Sequence, residues 1–376
     1  MKSITEILGG AQLLLGISFD LQSTFEGYLT TEQRAFLVTL RVIEENVPLQ
    51  EQFYRGRGRI PYQDLPFFRA FIGKSFLQIP TTEKLIERLH ADANFRRICG
   101  FIYVPSAPTF SRRFAAFADT AVMDQTLNIM VRGYLQDRIV GHILRDATAI
   151  EAREKPLNTK REVAPESKER RQRGRPGKGE SKANKKANRL AQQARQKASV
   201  ALRGLNTLCC WGCKRNSQGN VSYWKGYKLH LDVTDMGIPV TAVLTGANVH
   251  DSQLAIPMEK LTERKVKHLY SLMDAAYDAQ GIRDYIEAKG RVAIIDGNKR
   301  RGEDGHPFDP AQERRFTIRS TVERANSHLK DWLFSGKLYV RGIRKVRCQL
   351  MSGVVCLAAV KILQYLIIPK QEKAAA

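Results

Sequence analysis

Three acidic residues lie far apart in the sequence, at positions from which each could reach one site. Asp146 follows a short apolar run in IVGHILRDATAI, Asp274 ends the apolar run of HLYSLMDAAYD, and Glu323 lies in RRFTIRSTVERANSHLKDW. Carboxylates brought side by side repel one another, and a divalent cation relieves that repulsion. Oxygen-only ligands suit Mg²⁺ or Mn²⁺, and two such ions about 4 Å apart can catalyse phosphoryl transfer. This set is therefore a candidate two-metal site.

Spacing alone does not select these three acids. Four further aspartates also lie near the ends of predicted strands or helices: Asp232, Asp251, Asp278 and Asp296. The choice among the acids depends on the elements that carry them.

The segment 314–332 contains no proline or glycine and has the spacing of an amphipathic helix. One narrow apolar stripe of this helix, which would face the core, comprises Ile318, Val322, Ala325, Leu329 and Trp332. A second stripe, about 100° around the helix, comprises Phe316, Arg319, Glu323, Asn326 and Lys330. Glu323 would then lie at the edge of the packed face, between two cations that could hold phosphates. The alternative is a solvated face with favourable charge pairs.

The charge balance indicates a polyanionic partner. The 376 residues include 61 Lys and Arg against 38 Asp and Glu, which gives a formal net charge of +23. Counterion release favours nucleic acid over a membrane surface or a purely solubilising role for these charges. The same charge disfavours a glycosidase built on paired carboxylates.

The elements that must position the acids follow from periodicity. After the strand with Asp146, the stretch YWKGYKLHLDVTD alternates apolar and polar residues, and a turn at Met236 and Gly237 leads into IPVTAVLTGAN as an antiparallel hairpin. Helices then alternate with the strand that ends on Asp274, the strand RVAIIDGN and the helix with Glu323. This order predicts an α/β fold, a mixed sheet with helices on both faces, and it is the order of the RNase H-like fold.

Residues 1–135 are predicted to form a helical, DNA-binding domain that precedes this sheet. In SAPTFSRRFAAFAD, Ser106 or Thr109 could cap a helix that carries Arg112 and Arg113 near its start. These two arginines are candidate DNA contacts if the helix belongs to a helix-turn-helix. A plain helical hairpin packed on its neighbours fits the same residues.

A basic segment interrupts the second predicted domain, residues 136–368, after its first strand. Residues 151–217 depart from globular composition and include RRQRGRPGKG and KANKKANRLAQQARQK. We expect a flexible insertion that contacts DNA phosphates without reading bases, and a solvated tether is the alternative.

The cysteines and one apolar run bear on compartment and membrane. Six cysteines without a secretory leader indicate a reduced, intracellular protein. Cys209, Cys210 and Cys213 could form half of a zinc site, but the sequence has no second ligand pair, so reduced structural thiols are the preferred interpretation. The run 350–368 approaches bilayer length, yet it contains Lys361, so we expect a core helix and no membrane contact.

Taken together, these motifs resemble those of DDE transposases of bacterial insertion sequences. In one group of that family the third catalytic acid lies in a Y-x2-R-x3-E-x6-K signature. Four residues keep every spacing of it, with Phe in place of Tyr: Phe316, Arg319, Glu323 and Lys330. The similarity extends to GYKLHLDVTDMGIPV, TGANVHDSQ and LMDAAYDAQGIRDYI and covers roughly residues 138–365. The region 65–120 is similar to the N-terminal domain of such enzymes.

The resemblance implies a transposase that binds the terminal inverted repeats of its element as double-stranded DNA. It would nick them with water activated by two Mg²⁺ or Mn²⁺ ions and join the freed 3′-hydroxyl to target DNA. Asp146, Asp274 and Glu323 would be the metal ligands, and Arg319 and Lys330 would position phosphates. A homodimer on paired ends and a cytoplasmic, nucleoid-associated location are further implications.

Phe316 is the departure from the signature, because its ring can pack or stack but cannot donate a hydrogen bond to a phosphate. Two rival functions stay open beside transposition. One is another RNase H-like nuclease, such as a junction resolvase, and the other is a DNA-binding relative that has lost catalysis. The intact acid triad argues against the second.

Overall fold

The computed structural model describes residues 29–49, 61–156, 185–215, 220–297, 308–334 and 338–370. Its N-terminal part is helical, as predicted, and comprises α1 (Thr31–Glu44), α2 (Asp64–Phe76), α3 (Thr82–Ala91), α4 (Ala93–Cys99), α5 (Ala107–Thr120) and α6 (Val122–Leu135). The remainder alternates strands and helices around one sheet.

Local signals in the sequence start these N-terminal helices and aromatic packing holds them together. The Thr30 hydroxyl accepts a hydrogen bond from the Gln33 amide, and the Gln33 side chain accepts one from the Thr30 amide, so α1 begins with a capping box. Helices α2 and α5 pack through edge-to-face rings, with the Phe71 and Phe114 centroids 5.0 Å apart.

The sheet contains six strands: β1 (Ile139–Glu151), β2 (Cys210–Arg215), β3 (Val221–Thr234), β4 (Pro239–Gly246), β5 (Lys267–Met273) and β6 (Val292–Ile295). Its helices are α7 (Lys185–Arg195), α8 (Ala198–Arg203), α9 (Ser252–Thr262), α10 (Gln280–Glu287), α11 (Pro310–Phe316), α12 (Ser320–His328) and α13 (Ile343–Ile362). The strand order is β2, β3, β1, β5, β6, with β4 also paired to β3.

The sheet is mixed, which confirms the predicted fold class, an RNase H-like α/β domain. Strand β3 pairs antiparallel with β1, β2 and β4, whereas β1, β5 and β6 run parallel. The hairpin between β3 and β4 turns at Met236 and Gly237, as predicted. Gly237 has a φ of +77°, which a residue with a side chain seldom adopts, and its amide donates to the Thr234 carbonyl at 2.8 Å.

The apolar run near the C-terminus forms α13, a core helix as predicted. It packs against α1, α2, α5 and α6 of the N-terminal part and against β4 of the sheet, so one hydrophobic core spans both parts of the chain. By length and composition the helix 343–370 could cross a membrane, but most of its apolar window is buried inside the protein. The predicted domain boundaries, 1–135 and 136–368, remain predictions.

The prediction of a flexible insertion over 151–217 is wrong for the described residues of that segment. Residues 185–215 form α7, α8 and β2, while 157–184 lie outside the described residues. Leu190 of α7 and Ala198 and Ala201 of α8 are buried. This sparse apolar spacing suffices for packing, but the surrounding Lys, Arg and Gln obscured it in the sequence.

The segment 314–332 is helical, but it is not the uniform α-helix that the sequence predicts. A 3-10 turn, Thr317–Arg319, separates α11 from α12, and a π-helical turn, Leu329–Leu333, follows α12. The predicted burial of Trp332 is wrong, because its exposed fraction is 37% and Leu333 is buried instead. A π turn holds more residues than an α turn, so it shifts the apolar stripe by one position.

Candidate active site

Two of the predicted carboxylates lie on neighbouring parallel strands, Asp146 within β1 and Asp274 directly after the end of β5. In the register of β1 and β5, Leu144 lies opposite Leu272. Asp146 and Asp274 each follow two residues after that pair. Because side chains alternate along a strand, both carboxylates emerge at the same level on the same face of the sheet.

The surroundings of these aspartates oppose their negative charge. Burial raises the pKa of Asp146 to about 6, with the Arg319 guanidinium opposing the rise and the Asp274 carboxylate adding to it. Burial likewise raises the pKa of Asp274, and Arg319 again opposes the rise. Two half-buried acids therefore share one cation and still have raised pKa values.

Arg319 is the cation that links the helix to the aspartates. Its Nη1 donates to Glu323 Oε1 at 2.7 Å, and its Nη2 lies 3.9 Å from Asp274 Oδ2. The side chain is only 15% exposed, and its buried Nε has no hydrogen-bond partner among the described residues. An unpartnered donor in this position is suited to an anionic oxygen.

Asn326 connects α12 to the first aspartate. Its Nδ2 donates to Asp146 Oδ2 at 2.8 Å, while its Oδ1 is buried and has no partner in the part of the chain that the structure describes. Sequence reasoning placed Asn326 on the same stripe as Glu323 but assigned it no function. The signal was its position one turn after the acid.

Glu323 is near this group but does not complete it. Its side chain is 59% exposed and bonded to Arg319 rather than directed onto the aspartates. Over the described ranges, no three His, Cys, Asp or Glu side chains are grouped closely enough to hold one ion. The structure thus brings Asp146 and Asp274 together, whereas Glu323 is linked to them only through Arg319.

Two lysines border the carboxylates, one predicted and one missed. Partial burial and the neighbouring Lys214 ammonium lower the pKa of Lys330, while Asp146 opposes that shift. Lys214 lies on β2, and its charge opposes the rise in the pKa of both Asp146 and Asp274. Sequence reasoning missed Lys214 because it assigned that stretch to a flexible insertion.

Phe316 packs, as its lack of a hydroxyl implies. Its half-buried ring lies 4.9 Å from the Phe308 ring, and the Arg319 guanidinium lies 5.8 Å from its centroid. The ring therefore supports the arginine that links the acids.

The two arginines of α5 differ in their surroundings. Arg112 is exposed and donates to the Thr109 hydroxyl at 3.3 Å, so it is accessible to DNA. Arg113 is bound within the helical part, where Nη1 donates to Asp64 at 2.6 Å and Nη2 to the Tyr62 carbonyl at 2.8 Å. Arg113 thus fits the alternative of a packed helical hairpin.

A groove of about 850 Å³ lies between α7 and α10. Ala276 and Asp278, which follow Asp274 in the chain, line one side, and Arg189 and Arg195 of α7 line the other. The basic segment therefore forms one wall of this groove.

The donor set fits a hard divalent cation. Asp146 and Asp274 offer carboxylate oxygens on one face, the buried Oδ1 of Asn326 is an unpartnered acceptor beside them, and the exposed Glu323 is joined to the group through Arg319. A cation would also relieve the repulsion that raises the two pKa values. For the cysteines, Cys209, Cys210 and Cys213 are free thiols, and the described residues contain no cluster of metal ligands that includes them.

Comparison with known protein families identifies both parts of the chain. Residues 141–359, more than half of the chain, match the Transposase DDE domain, and residues 29–115 match the Transposase domain (DUF772). No curated protein and no solved structure gives a match. The first match spans β1 to α13 and so contains every carboxylate of the candidate site. The chain belongs to the family of DDE-type insertion-sequence transposases.

Proposed function

We propose that this transposase binds the terminal inverted repeats of its element, cuts the DNA there and transfers the freed ends to a target, by a cut-and-paste route. The observation that carries the proposal is the pair Asp146 and Asp274 on adjacent strands, with Arg319 and Asn326 contacting them from α12 and the turn before it. A site with acids, a shared arginine and bordering lysines suits phosphoryl transfer.

The acidic and the basic residues of the site have different proposed roles. Asp146, Asp274 and Glu323 would hold Mg²⁺ or Mn²⁺, which supplies an activated water and stabilises charge on the phosphate. Asn326 orients Asp146 through the 2.8 Å hydrogen bond, and Asp274 is oriented by the Ala276 amide at 3.1 Å. These bonds fix the two acids before DNA arrives.

The cations would position the DNA backbone. Arg319 presents an unpartnered Nε, and a phosphate would compete with Glu323 for its guanidinium, leaving that acid free to turn toward the aspartates. Lys330 and Lys214 both act electrostatically on Asp146 and repel each other, so a phosphate between them would relieve that repulsion. Phe316 holds the arginine by packing rather than by a hydrogen bond.

The test is cleavage of labelled element-end DNA in Mg²⁺, with Asp274→Asn compared with wild type. We expect a loss of at least about a thousandfold, since removing one carboxylate from a metal site costs several kcal/mol of transition-state stabilisation. Asp278→Asn is the matched control, because Asp278 lies four residues on and pairs with Arg283 at 3.1 Å. Equal rates for Asp274→Asn and wild type would refute the assignment.

The same assay separates transposition from its rivals. Joining of the cut 3′-end to a second DNA, together with short inverted repeats flanking the gene, supports a transposase that acts on paired ends as a homodimer. Cleavage of branched DNA without joining would instead favour a resolvase. Binding without cleavage by the wild type would favour an inactive relative. We also propose a cytoplasmic, nucleoid-associated location, consistent with the charge of +23.

A further inference from the structure

Strand β2 and the first part of β3 form a two-stranded ribbon that extends past the rest of the sheet. Residues 210–215 pair with 221–226, and we call this pair the β2–β3 ribbon. The ribbon meets the sheet at Gly226, which has a φ of +154°. A Cβ built there would lie 2.1 Å from the Ile150 carbonyl oxygen, so only glycine allows β1 and β3 to approach at this point.

The inner face of the ribbon is anchored to the protein. Gly212 lies opposite Trp224, and a Cβ at Gly212 would come within 2.5 Å of that indole. Trp224 is buried, and its Nε1 donates to the Tyr227 carbonyl at 3.0 Å. The ribbon therefore has a fixed inner face that uses one tryptophan as its anchor.

The outer face carries aromatic side chains that nothing described covers. Trp211 is 60% exposed and Tyr223 is 70% exposed, and Val221 on the same face is 41% exposed. Lys225 lies directly opposite Trp211 in the register, and Tyr223 is its neighbour two residues along. The outer face thus places a lysine between two exposed rings. Core packing, the default for a tryptophan, accounts for Trp224 but not for Trp211.

Strand β3 connects the ribbon to the part of the sheet that carries the carboxylates. Lys214 is opposite Ser222, nine residues along β3 from Leu231, which is the partner of Asp146. The ribbon is therefore an extension of the strand that pairs with β1 at Asp146.

The charge of the ribbon indicates which kind of molecule its outer face would bind. The ribbon and its connecting loop, residues 210–226, include three cations and no Asp or Glu: Lys214, Arg215 and Lys225. A surface that combines cations with exposed rings is the arrangement by which proteins bind unpaired nucleic acid, since the rings stack on bases and the cations hold phosphates. A second copy of this chain, itself strongly basic, is the poorer match for such a face.

We propose that the outer face of the β2–β3 ribbon binds unpaired DNA, with Trp211 and Tyr223 stacked on bases and Lys225 on the backbone, and that this DNA is a strand released by cleavage. This rests on the proposed function, because a strand is released only if the site cuts DNA. The ribbon's affinity for unpaired DNA can nevertheless be measured without cleavage.

The experiment measures binding of a labelled oligothymidine and of a blunt duplex to the full chain in buffer without divalent ions. We expect Trp211→Ala and Tyr223→Ala each to weaken oligothymidine binding about tenfold, the size of one lost stacking contact, with little change for the duplex. Trp211→Phe keeps a ring and should retain most of the affinity. Tyr365→Ala is the control, since that tyrosine is 42% exposed near the C-terminus, away from the ribbon.

Melting temperatures of all variants identify misfolding, and if Trp211→Ala fails to fold, Tyr223→Ala on the other strand decides the question. Oligothymidine affinities equal to that of Tyr365→Ala would overturn the proposal. So would a change from dimer to monomer in both ribbon variants at unchanged affinity, which would make the face an interface between two copies. Asp274→Asn should keep oligothymidine binding, so failure of the ribbon and failure of the catalytic assignment give different results.

Discussion

Arg145 and Asp146 are consecutive residues of β1, and their side chains point to opposite faces of the sheet into two different ionic environments. Arg145 is 1% exposed, and its Nε and Nη2 donate to the two carboxylate oxygens of Asp232 at 2.7 and 2.8 Å. Its Nη1 donates to the Ala255 carbonyl at 2.7 Å. On the other face, Asp146 and Asp274 share one arginine that is also bonded to Glu323.

The two faces shift the pKa values of their acids in opposite directions. Burial raises the pKa of Glu259, but the hydrogen bond with His268 and the charge of Arg145 outweigh burial and lower it to about 2. Burial raises the pKa of Asp146 to about 6, because Arg319 alone is too little to offset it. We call the Arg145 side the closed face and the Asp146 side the open face.

The difference distinguishes a structural ionic network from a ligand-binding site. On the closed face each buried charge has a counterion and hydrogen bonds, so nothing further is needed there. On the open face, the two aspartates keep raised pKa values, and polar atoms of Arg319 and Asn326 lack partners among the described residues. Shifted acids beside unpartnered polar atoms mark where a ligand would lower the free energy.

The largest expected effect on stability comes from a substitution that removes an ion pair of the closed face. Arg145→Met leaves Asp232 and Glu259 buried without their main counterion, so we expect the free energy of unfolding to fall by about 3–5 kcal/mol in urea denaturation. Arg347→Met is the control, because that arginine is 46% exposed and pairs with Asp124 at the surface. It should cost less than about 1 kcal/mol. Similar losses for both variants would contradict the distinction.

A second prediction uses pH to compare the faces in buffer without divalent ions. The folded-state pKa of Asp146, about 6, lies above its ordinary 3.8, so the wild type loses stability as pH rises from about 4 to about 6. Asp146→Asn should therefore be more stable than wild type at pH 7, by about 1–3 kcal/mol, with no difference below pH 4.

The pKa shift of Glu259 has the opposite sign, and so does its effect on stability as the pH changes. Its folded-state pKa of about 2 lies below the ordinary 4.5, so its contribution is present above pH 4.5 and is lost as pH falls toward 2. Glu259→Gln should be less stable than wild type at pH 7, with the deficit shrinking on acidification. Urea denaturation across this pH range measures both variants. Parallel profiles for the two would mean that the faces do not differ.

The smallest expected effect concerns divalent ions. Mn²⁺ at several times its dissociation constant should stabilise the wild type by about 1 kcal/mol through linkage, seen as a rise in melting temperature. Asp146→Asn should lose this rise because it alters the open face, whereas Glu259→Gln should keep it. An equal rise in all three proteins would place the ion elsewhere.

Local patterns were enough to predict much of the fold. The alternation in YWKGYKLHLDVTD and the turn at Gly237 predicted the β3–β4 hairpin, because a period of two and a glycine turn depend only on neighbouring residues. The positions of Asp146 on one strand and of Asp274 at the end of another were likewise predicted from the sequence. Their catalytic roles, and that of Glu323, are still predictions.

Other features depended on packing between distant elements. The helices α7 and α8 were missed because a few buried residues, such as Leu190, stabilise them within a Lys- and Arg-rich stretch. Trp332 was placed in the core because a regular helix was assumed, and the π turn moved Leu333 there. Lys214 was missed because β2, the strand that carries it, lies within the stretch that was assigned to a flexible insertion.

The choice between Asp146 and Asp232 as the site residue shows what the sequence by itself does not determine. The sequence determined that both aspartates lie on strands and that Arg145 faces away from Asp146, since side chains alternate along a strand. It did not determine which face α9 covers. Only the tertiary structure placed Asp232 beside Arg145 beneath that helix and left Asp146 facing Asp274 and α12, because burial and pairing are set by elements far apart in the chain.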